Sequence, residues 1–239
     1  MRCGMARHCH IGLIRSSESA WEFDNAKGFS DNWNFIFVSP VPKVQKQIRA
    51  NRWNIKKLSE LHDQGYDIWA IDEVHFQQQG TRCRMWIAPE NKAPFVIQQP
   101  TRKGVGFFGA VRIRDGKFIF SREEKVFDAV STWNFLKKVR KFACHSGRKV
   151  ALIIDNAKYH HAILHRKWRE KAGDKFLMAY LPPYSPELNP IERVWKLTRR
   201  MRLHNQFFPT LHSLIYEAEN LFKLWHFGSD DLKRLCRIG

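Results

Sequence analysis

"YDIWAID", residues 66 to 72, is an apolar run that follows Gly65 and stops at an aspartate. A short, bounded run rich in aromatic and branched side chains reads as a buried strand. "KVALIID", residues 149 to 155, has the same form and the same ending. An ionised carboxylate at the end of a buried strand is costly unless a cation lies beside it. For Asp72 or Asp155 alone, a turn or helix-cap role is the plainer reading. The two together ask for a third partner.

Outward from these strands the pattern stays regular. "RMWIAP" (84–89), "GVGFFGAVRI" (104–113) and "KFIFSRE" (117–123) read as further strands, the last two joined by a hairpin-like turn at Arg114, Asp115 and Gly116. "KVFDAVSTWNFLKKVRKFACHS" reads as a helix with Val126, Val130, Trp133, Leu136 or Lys137, and Arg140 along a partly apolar face. A polar helix "HHAILHRKWREKAG", a strand "KFLMAYLP" and a C-terminal amphipathic helix "TLHSLIYEAENLFKLWHF" (210–227) follow. The last carries Leu211, Leu214, Ile215, Ala218, Leu221, Phe222 and Trp225 on one face. Early strands, then alternating helix and strand, give an α/β domain: a mixed sheet flanked by helices. Residues 65–239 form this domain. Residues 1–64 are an atypical N-terminal segment with a linker helix opening at Pro42, and no helix-turn-helix is evident there.

The third carboxylate sits in "PPYSPELNPIERVW", residues 182–195. Pro182, Pro183, Pro186 and Pro190 fix φ and disfavour helix at the residues before them, so the connection is a strut that turns at once into a helix. Asn189 is a favoured N-cap, Pro190 suits the first helical position, and Glu192 falls where a capping-box carboxylate sits. Two readings of Glu192 therefore stand: a cap, or a side chain aimed at Asp72 and Asp155.

The chain has 41 Lys+Arg against 23 Asp+Glu, a formal charge of +18, which points to a polyanionic partner, nucleic acid first. The basic residues cluster in "NKAPFVIQQPTRK" (91–103), "RKWREK" (166–171) and "KLTRRMR" (196–202), near the strut and its neighbours. At 44% hydrophobic the composition is globular; no apolar run has the length of a bilayer span and residues 1–20 lack the core of a signal peptide, so a cytoplasmic protein is expected. The five cysteines are odd in number and hold no CxxC, which fits reduced thiols. Cys3, His8, Cys9 and His10 are zinc ligand types, but their spacing is crowded and irregular.

Three convergent carboxylates make a hard oxygen site suited to Mg²⁺ or Mn²⁺. A pair of such ions, roughly 4 Å apart, activates a water or a 3′ hydroxyl and stabilises the leaving oxygen of a phosphodiester. On a chain of this charge, the expected substrate is DNA.

"AIDEVHF" (70–76), "LIIDNAKYHHA" (152–162) and "LPPYSPELNPIERVWK" (181–196) resemble the three catalytic blocks of the mariner-like superfamily of DDE transposases, in its bacterial insertion-sequence branch. The blocks are in order and fittingly spaced from about residue 65 to 222, and the third is the most specific. The resemblance implies a ribonuclease H-like fold and Asp72, Asp155 and Glu192 as catalytic, metal-binding triad for Mg²⁺, with Mn²⁺ as a substitute. It implies metal-dependent cleavage and strand transfer of double-stranded DNA, transposon ends and target alike, with preference for TA target sites. A homodimer and a nucleoid-associated location in a bacterial cell fit the same family.

Residues 1–64 depart from the family's N-terminal helix-turn-helix region, so the expectation is a truncated, reframed or replaced start and weak recognition of specific ends. Two rival readings accompany this departure: a catalytically silent DNA-binding remnant or domesticated derivative, and a structure-selective nuclease of the same fold.

Other residues carry paired readings. Glu73 either supports the triad from behind or, as a strand neighbour of Asp72 facing the other way, points to the surface; the second is the plainer reading. Asn156 and His160 match the family's "DNxxxH" pattern and position substrate or ligand, or else are a turn Asn and a helix-start His. His161 and His165 lie four apart without the Glu of HExxH, which argues against a zinc protease. Val194 and Trp195 read as core facing the sheet. Lys196, Arg199 and Arg200 lie on the Glu192 side, placed to track DNA phosphates.

Overall fold

The computed structural model divides the chain into two units, Met1–Val41 and Pro42–Gly239. It describes residues 56–84, 95–98, 100–144, 147–183 and 185–237, all in the second unit. Residues 85–89 of the expected strand at 84–89, residues 91–94 and 99 of the 91–103 basic stretch, and the Cys3/His10 cluster lie outside the described residues, as does the start of the helix expected from Pro42. Its end is present as helix α1, residues 56–63.

Among the described residues five strands form one sheet: β1 (Asp67–Gln77), β2 (Gly104–Arg112), β3 (Phe118–Glu123), β4 (Val150–Ile154) and β5 (Phe176–Tyr180), in the order β3-β2-β1-β4-β5. β1, β2 and β3 pair antiparallel; β4 runs parallel to both β1 and β5. The mixed sheet read from the sequence is therefore the one that forms. β4, "VALII", is buried along its whole length, as a central parallel strand covered on both faces must be. At the β2–β3 turn Gly116 adopts φ +69°, and a Cβ there would strike the backbone at Ser229.

Alternation along β1 sorts its side chains between two cores. Ile68, Ala70, Val74 and Phe76 join Phe107, Phe118, Trp195, Phe222 and Trp225 on one face. There the helices α4 (Ile191–Thr198), α5 (Leu211–Leu224) and α6 (Asp230–Cys236) pack. Trp69 and Ile71 join Phe108, Phe135, Leu136 and Val139 on the other, under α2 (Ala129–Ala143) and α3 (Arg166–Ala172). By the same alternation Asp72 belongs to the α4 face and Glu73 to the opposite one.

Three expectations change. The buried face of α2 is Thr132, Phe135, Leu136, Val139 and Ala143, whereas Val126 and Val130 are exposed. The helix begins only at its Asp128–Ser131 capping box, so a phase counted from Val126 is off by part of a turn. The "HHAILHRKWREKAG" helix is instead 3₁₀ turns, Lys158–His161 and Ile163–His165, leading into the short α3. Helix α6 was not expected; its N-cap Ser229 and acidic first turn, Asp230 and Asp231, are the signals that mark it. The α5 face, by contrast, is as read, with Leu214, Ile215, Ala218, Leu221 and Phe222 buried.

Candidate carboxylate site

Asp72 lies midway along β1, opposite Gly109 of β2. Its Oδ2 accepts a hydrogen bond from Trp195 Nε1 at 3.1 Å. Trp195 fits because residue 109 is glycine: a Cβ there would run into the indole ring. Burial pushes the Asp72 carboxyl up to about 7, and the negative charge of Glu192 is the next largest cause, with Asp155 a smaller one. Glu192 and Asp72 thus share one field.

The strut explains how. Pairing between β1 and β4 ends at Ala70↔Ile153, which leaves the Ile71 carbonyl without a ladder partner on that side. Asn189, fully inside the protein, donates its side-chain amide to that carbonyl at 2.9 Å. Its backbone N–H donates to Pro186 O, and its own carbonyl accepts from Glu192 N–H at 3.1 Å. The chain is pinned to the residue before Asp72, and α4 starts two residues after the pin. The capping box expected from Asn189 and Glu192 therefore does not form: the N-cap is Pro190, with no side-chain cap bond. Asn189 is spent on the sheet, and Glu192 is left with its carboxylate near Asp72.

Asp155 follows the last residue of β4 and is half-exposed. Ala157 N–H donates to its Oδ1 at 3.0 Å, a local Asx turn. His160 Nε2 lies 3.0 Å from the same oxygen and 3.6 Å from Glu73 Oε1, close enough for ion-pair contact with both when the ring is protonated. Its neighbourhood, His160 first, holds the Asp155 carboxyl below the usual carboxylate range.

Glu73 is not a surface residue. Its side chain is 7% exposed, capped by Tyr159, whose hydroxyl donates to Oε2 at 3.2 Å, and by His160. The premise that neighbours on a strand face opposite ways holds; the far face is simply not solvent, because the Lys158–His161 turn covers it. Burial, then the charges of Asp72 and Asp155, push Glu73 up to about 8. Glu73 and Asp155 also hold the Tyr159 phenol well above its usual range, after burial as the main cause. Asn156 donates to Leu181 O, and its Oδ1 lies 3.2 Å from His161 Nε2, while the His161 ring stacks on Tyr180 at 4.3 Å. Arg169 fixes this turn by donating to His160 O at 2.8 Å and to Tyr180 at 2.7 Å.

Val194 and Trp195 are core, as expected, but the Asp72 bond gives Trp195 a part in the site that its sequence position, one turn after Glu192, foreshadows. Lys196 and Arg200 are exposed on α4 and its extension. Arg199 lies over the Phe76 ring at 5.3 Å, where α4 loosens into a π-helical turn, Arg199–Leu203, closed by His204 N–H on Arg199 O. Among the described residues no three His, Cys, Asp or Glu side chains are drawn together into a closed ligand set. What the geometry gathers is acids: Asp72 and Glu73, pushed up to about 7 and about 8 by burial first and then by neighbouring carboxylates, beside Asp155, whose carboxyl is held low.

A β3-β2-β1-β4-β5 sheet with acids on the central strand β1, just past the end of β4 and on the helix after β5 is the arrangement of a ribonuclease H-like domain. Residues 67–215 match the DDE superfamily endonuclease family, and the chain belongs to that family. An uncharacterized protein y4pE/y4sA of Sinorhizobium fredii (strain NBRC 101917 / NGR234) is 35% identical over 69 residues, 29% of this chain and 47% of that protein. The Mos1 transposase in a paired-end complex with the left transposon end has the same fold, with a TM-score of 0.60 at 15% identity. The match covers 88% of this chain and 63% of the Mos1 chain. The mariner Mos1 paired-end complex with Mg gives a TM-score of 0.57 at 16% identity, covering 87% and 65%. This chain thus spans less than two thirds of the proteins it matches.

Proposed function

We propose that this chain is the catalytic domain of a DNA transposase, which cuts a phosphodiester of double-stranded DNA and joins the freed strand to a target. The observation that carries the reading is the Asn189–Ile71 bond, which brings Glu192 into the field of Asp72. A helix cap would not need such a pin.

The residues fit a divalent cation by their chemistry. The donors are carboxylate oxygens, and among the described residues no lysine or arginine pairs with Asp72 or Glu73. Mg²⁺ would be held by Asp72, Asp155 and Glu192, with Mn²⁺ as a substitute; the related Mos1 complex with Mg supports this choice. Bound there, such ions supply Lewis acidity to the attacking and leaving oxygens. The chain's own parts do the rest. Trp195 orients Asp72, and His160, backed by Glu73 and Tyr159, holds Asp155 ionised. Asn156 ties the Asp155 turn to the strut through Leu181. Lys196, Arg199 and Arg200 line the DNA backbone downstream of Glu192. Transposon ends and a TA target as substrate, a homodimer as the assembly and the bacterial nucleoid as the location belong to the same proposal; Mos1's complex with a transposon end supports the first.

The test uses a supercoiled plasmid and a labelled duplex carrying the flanking DNA of the gene. Nicking in Mg²⁺ that stops in EDTA, followed by joining of the labelled strand to the plasmid, is the expected result. Nicking without joining would leave a nuclease of the same fold. DNA binding without nicking would leave a silent remnant.

A further inference from the structure

A second charged region lies away from the carboxylates, beside the outer edge of β3. Helix α2 carries Lys137, Lys138, Arg140 and Lys141 in its last two turns and no acidic residue. Between its C-terminal half, the β2–β3 turn and the end of α5 is a hollow of about 560 Å³. Lys117, Lys138 and Lys141 rim it, and Phe142, His226 and Phe227 supply aromatic walls. Phe227 is 85% exposed, and the His226 ring lies between it and Phe142 at 5.1 Å from each.

The charges here are unanswered. Arg112, at the base of the hollow, is committed to Asp67 and Asp115. Among the described residues no carboxylate pairs with Lys117, Lys138 or Lys141. Helix-dipole complementarity accounts for cations at the end of α2, but not for a lysine that converges on them from a separate turn. Nor is the edge of β3 open to an added strand: Lys138 Nζ donates to Phe120 O at 2.6 Å, and Phe118 N–H donates to Trp225 O. Lys138 keeps two further donors.

We propose that this hollow binds unpaired nucleotides of a DNA strand, one base stacking on Phe227 and neighbouring phosphates meeting Lys117, Lys138 and Lys141. Exposed aromatic rings beside uncompensated lysines are what an unpaired strand requires, because every base offers a π-face and every link a phosphate. A duplex offers only its phosphates, since its bases are stacked away. The site is independent of the carboxylates and does not rest on their metal.

The experiment measures binding of fluorescein-labelled oligothymidylate, about fifteen nucleotides, to the full chain in EDTA, with unlabelled single strand and blunt duplex as competitors. Phe227→Ala is expected to weaken binding about fivefold or more, and Phe227→Trp to preserve it. Lys138→Ala with Lys141→Ala is expected to lower the log–log salt slope by about 1.4, two contacts at about 0.7 each. Duplex binding and plasmid nicking by Phe227→Ala stay at the parent level. Unchanged oligothymidylate affinity and slope in these variants, or equal loss of duplex and single-strand binding in Phe227→Ala, would overturn the proposal. Failure of the parent to nick DNA would bear only on the carboxylate site.

Discussion

Asp72 and Asp155 end similar runs of sequence, yet they occupy opposite electrostatic worlds. Asp72, with Glu73 behind it, is partly buried in mid-strand; the two carboxyls are pushed up to about 7 and 8 by burial and by neighbouring acids. Asp155 stands half-exposed beyond its strand, with a backbone N–H and His160 holding its carboxyl down. Among the described residues no lysine or arginine meets Asp72 or Glu73, whereas His160 and a backbone N–H both sit on one oxygen of Asp155. A cation bound as proposed would gain most from the Asp72 side, while Asp155 stays ionised to meet it.

The contrast is broken most sharply by removing what makes Asp155 different. In His160→Gln the ring that lowers Asp155 is gone and Glu73 loses its neighbour, so Mg²⁺-dependent nicking is expected to fall about ten- to a hundredfold, the usual cost of losing a group that supports a ligand. A plasmid-nicking rate equal to that of the parent would mean that Asp155 needs no such support.

The Asp72 side is sharpened through its backing. Gly109→Ala puts a Cβ into the Trp195 ring, so the indole must shift away from Asp72. Overpacking of this kind costs about 1–3 kcal/mol. A lowered melting temperature with loss of nicking is expected, and a variant with neither change would show that Trp195 has room to spare.

The smallest effect is the most telling in sign. The Asp72 carboxyl is raised on folding, so the unfolded chain releases its proton first and stability is lost as pH climbs from about 4 toward about 7; Glu73 extends the loss to about 8. Without metal, Asp72→Asn should therefore melt a few degrees higher than the parent at pH 8, with the gap narrowing toward pH 5. Asp155 is lowered on folding, so its contribution is fully present above its unfolded value and lost only as pH falls through the folded one. Asp155→Asn should thus melt slightly lower than the parent at pH 8. Melting curves of both variants at pH 5 and pH 8 check the pair, and shifts of the same sign would erase the distinction between the two aspartates.

The sequence made the strands legible because apolar runs bounded by Gly, Asp and Pro have few other readings. The long face of α5 was equally plain, with seven apolar positions at helical spacing. What escaped depends on contacts no local window contains. Glu73 alternates away from Asp72 as a strand residue must, but only the fold places the Lys158–His161 turn over it. Asn189 satisfies every local rule for a helix cap, and is diverted because Ile71 O, far away in sequence, lost its partner where β4 ends. Trp195 was read as core and is core; that its N–H faces a carboxylate follows from a glycine on another strand.

The central claim is that the strut delivers Glu192 to Asp72 and Asp155 to complete a metal site. Glu192→Gln tests it most directly, because the amide keeps the size of the side chain and removes only the charge a cation needs. At pH 8 Mg²⁺ should raise the melting temperature of the parent, since an ion that binds only the folded chain stabilises it. In Glu192→Gln the metal-free melting temperature should be the same or higher, most of the Mg²⁺ shift should vanish, and nicking should fall below detection. A Glu192→Gln chain that nicks at the parent's rate and keeps the full Mg²⁺ shift would contradict the account.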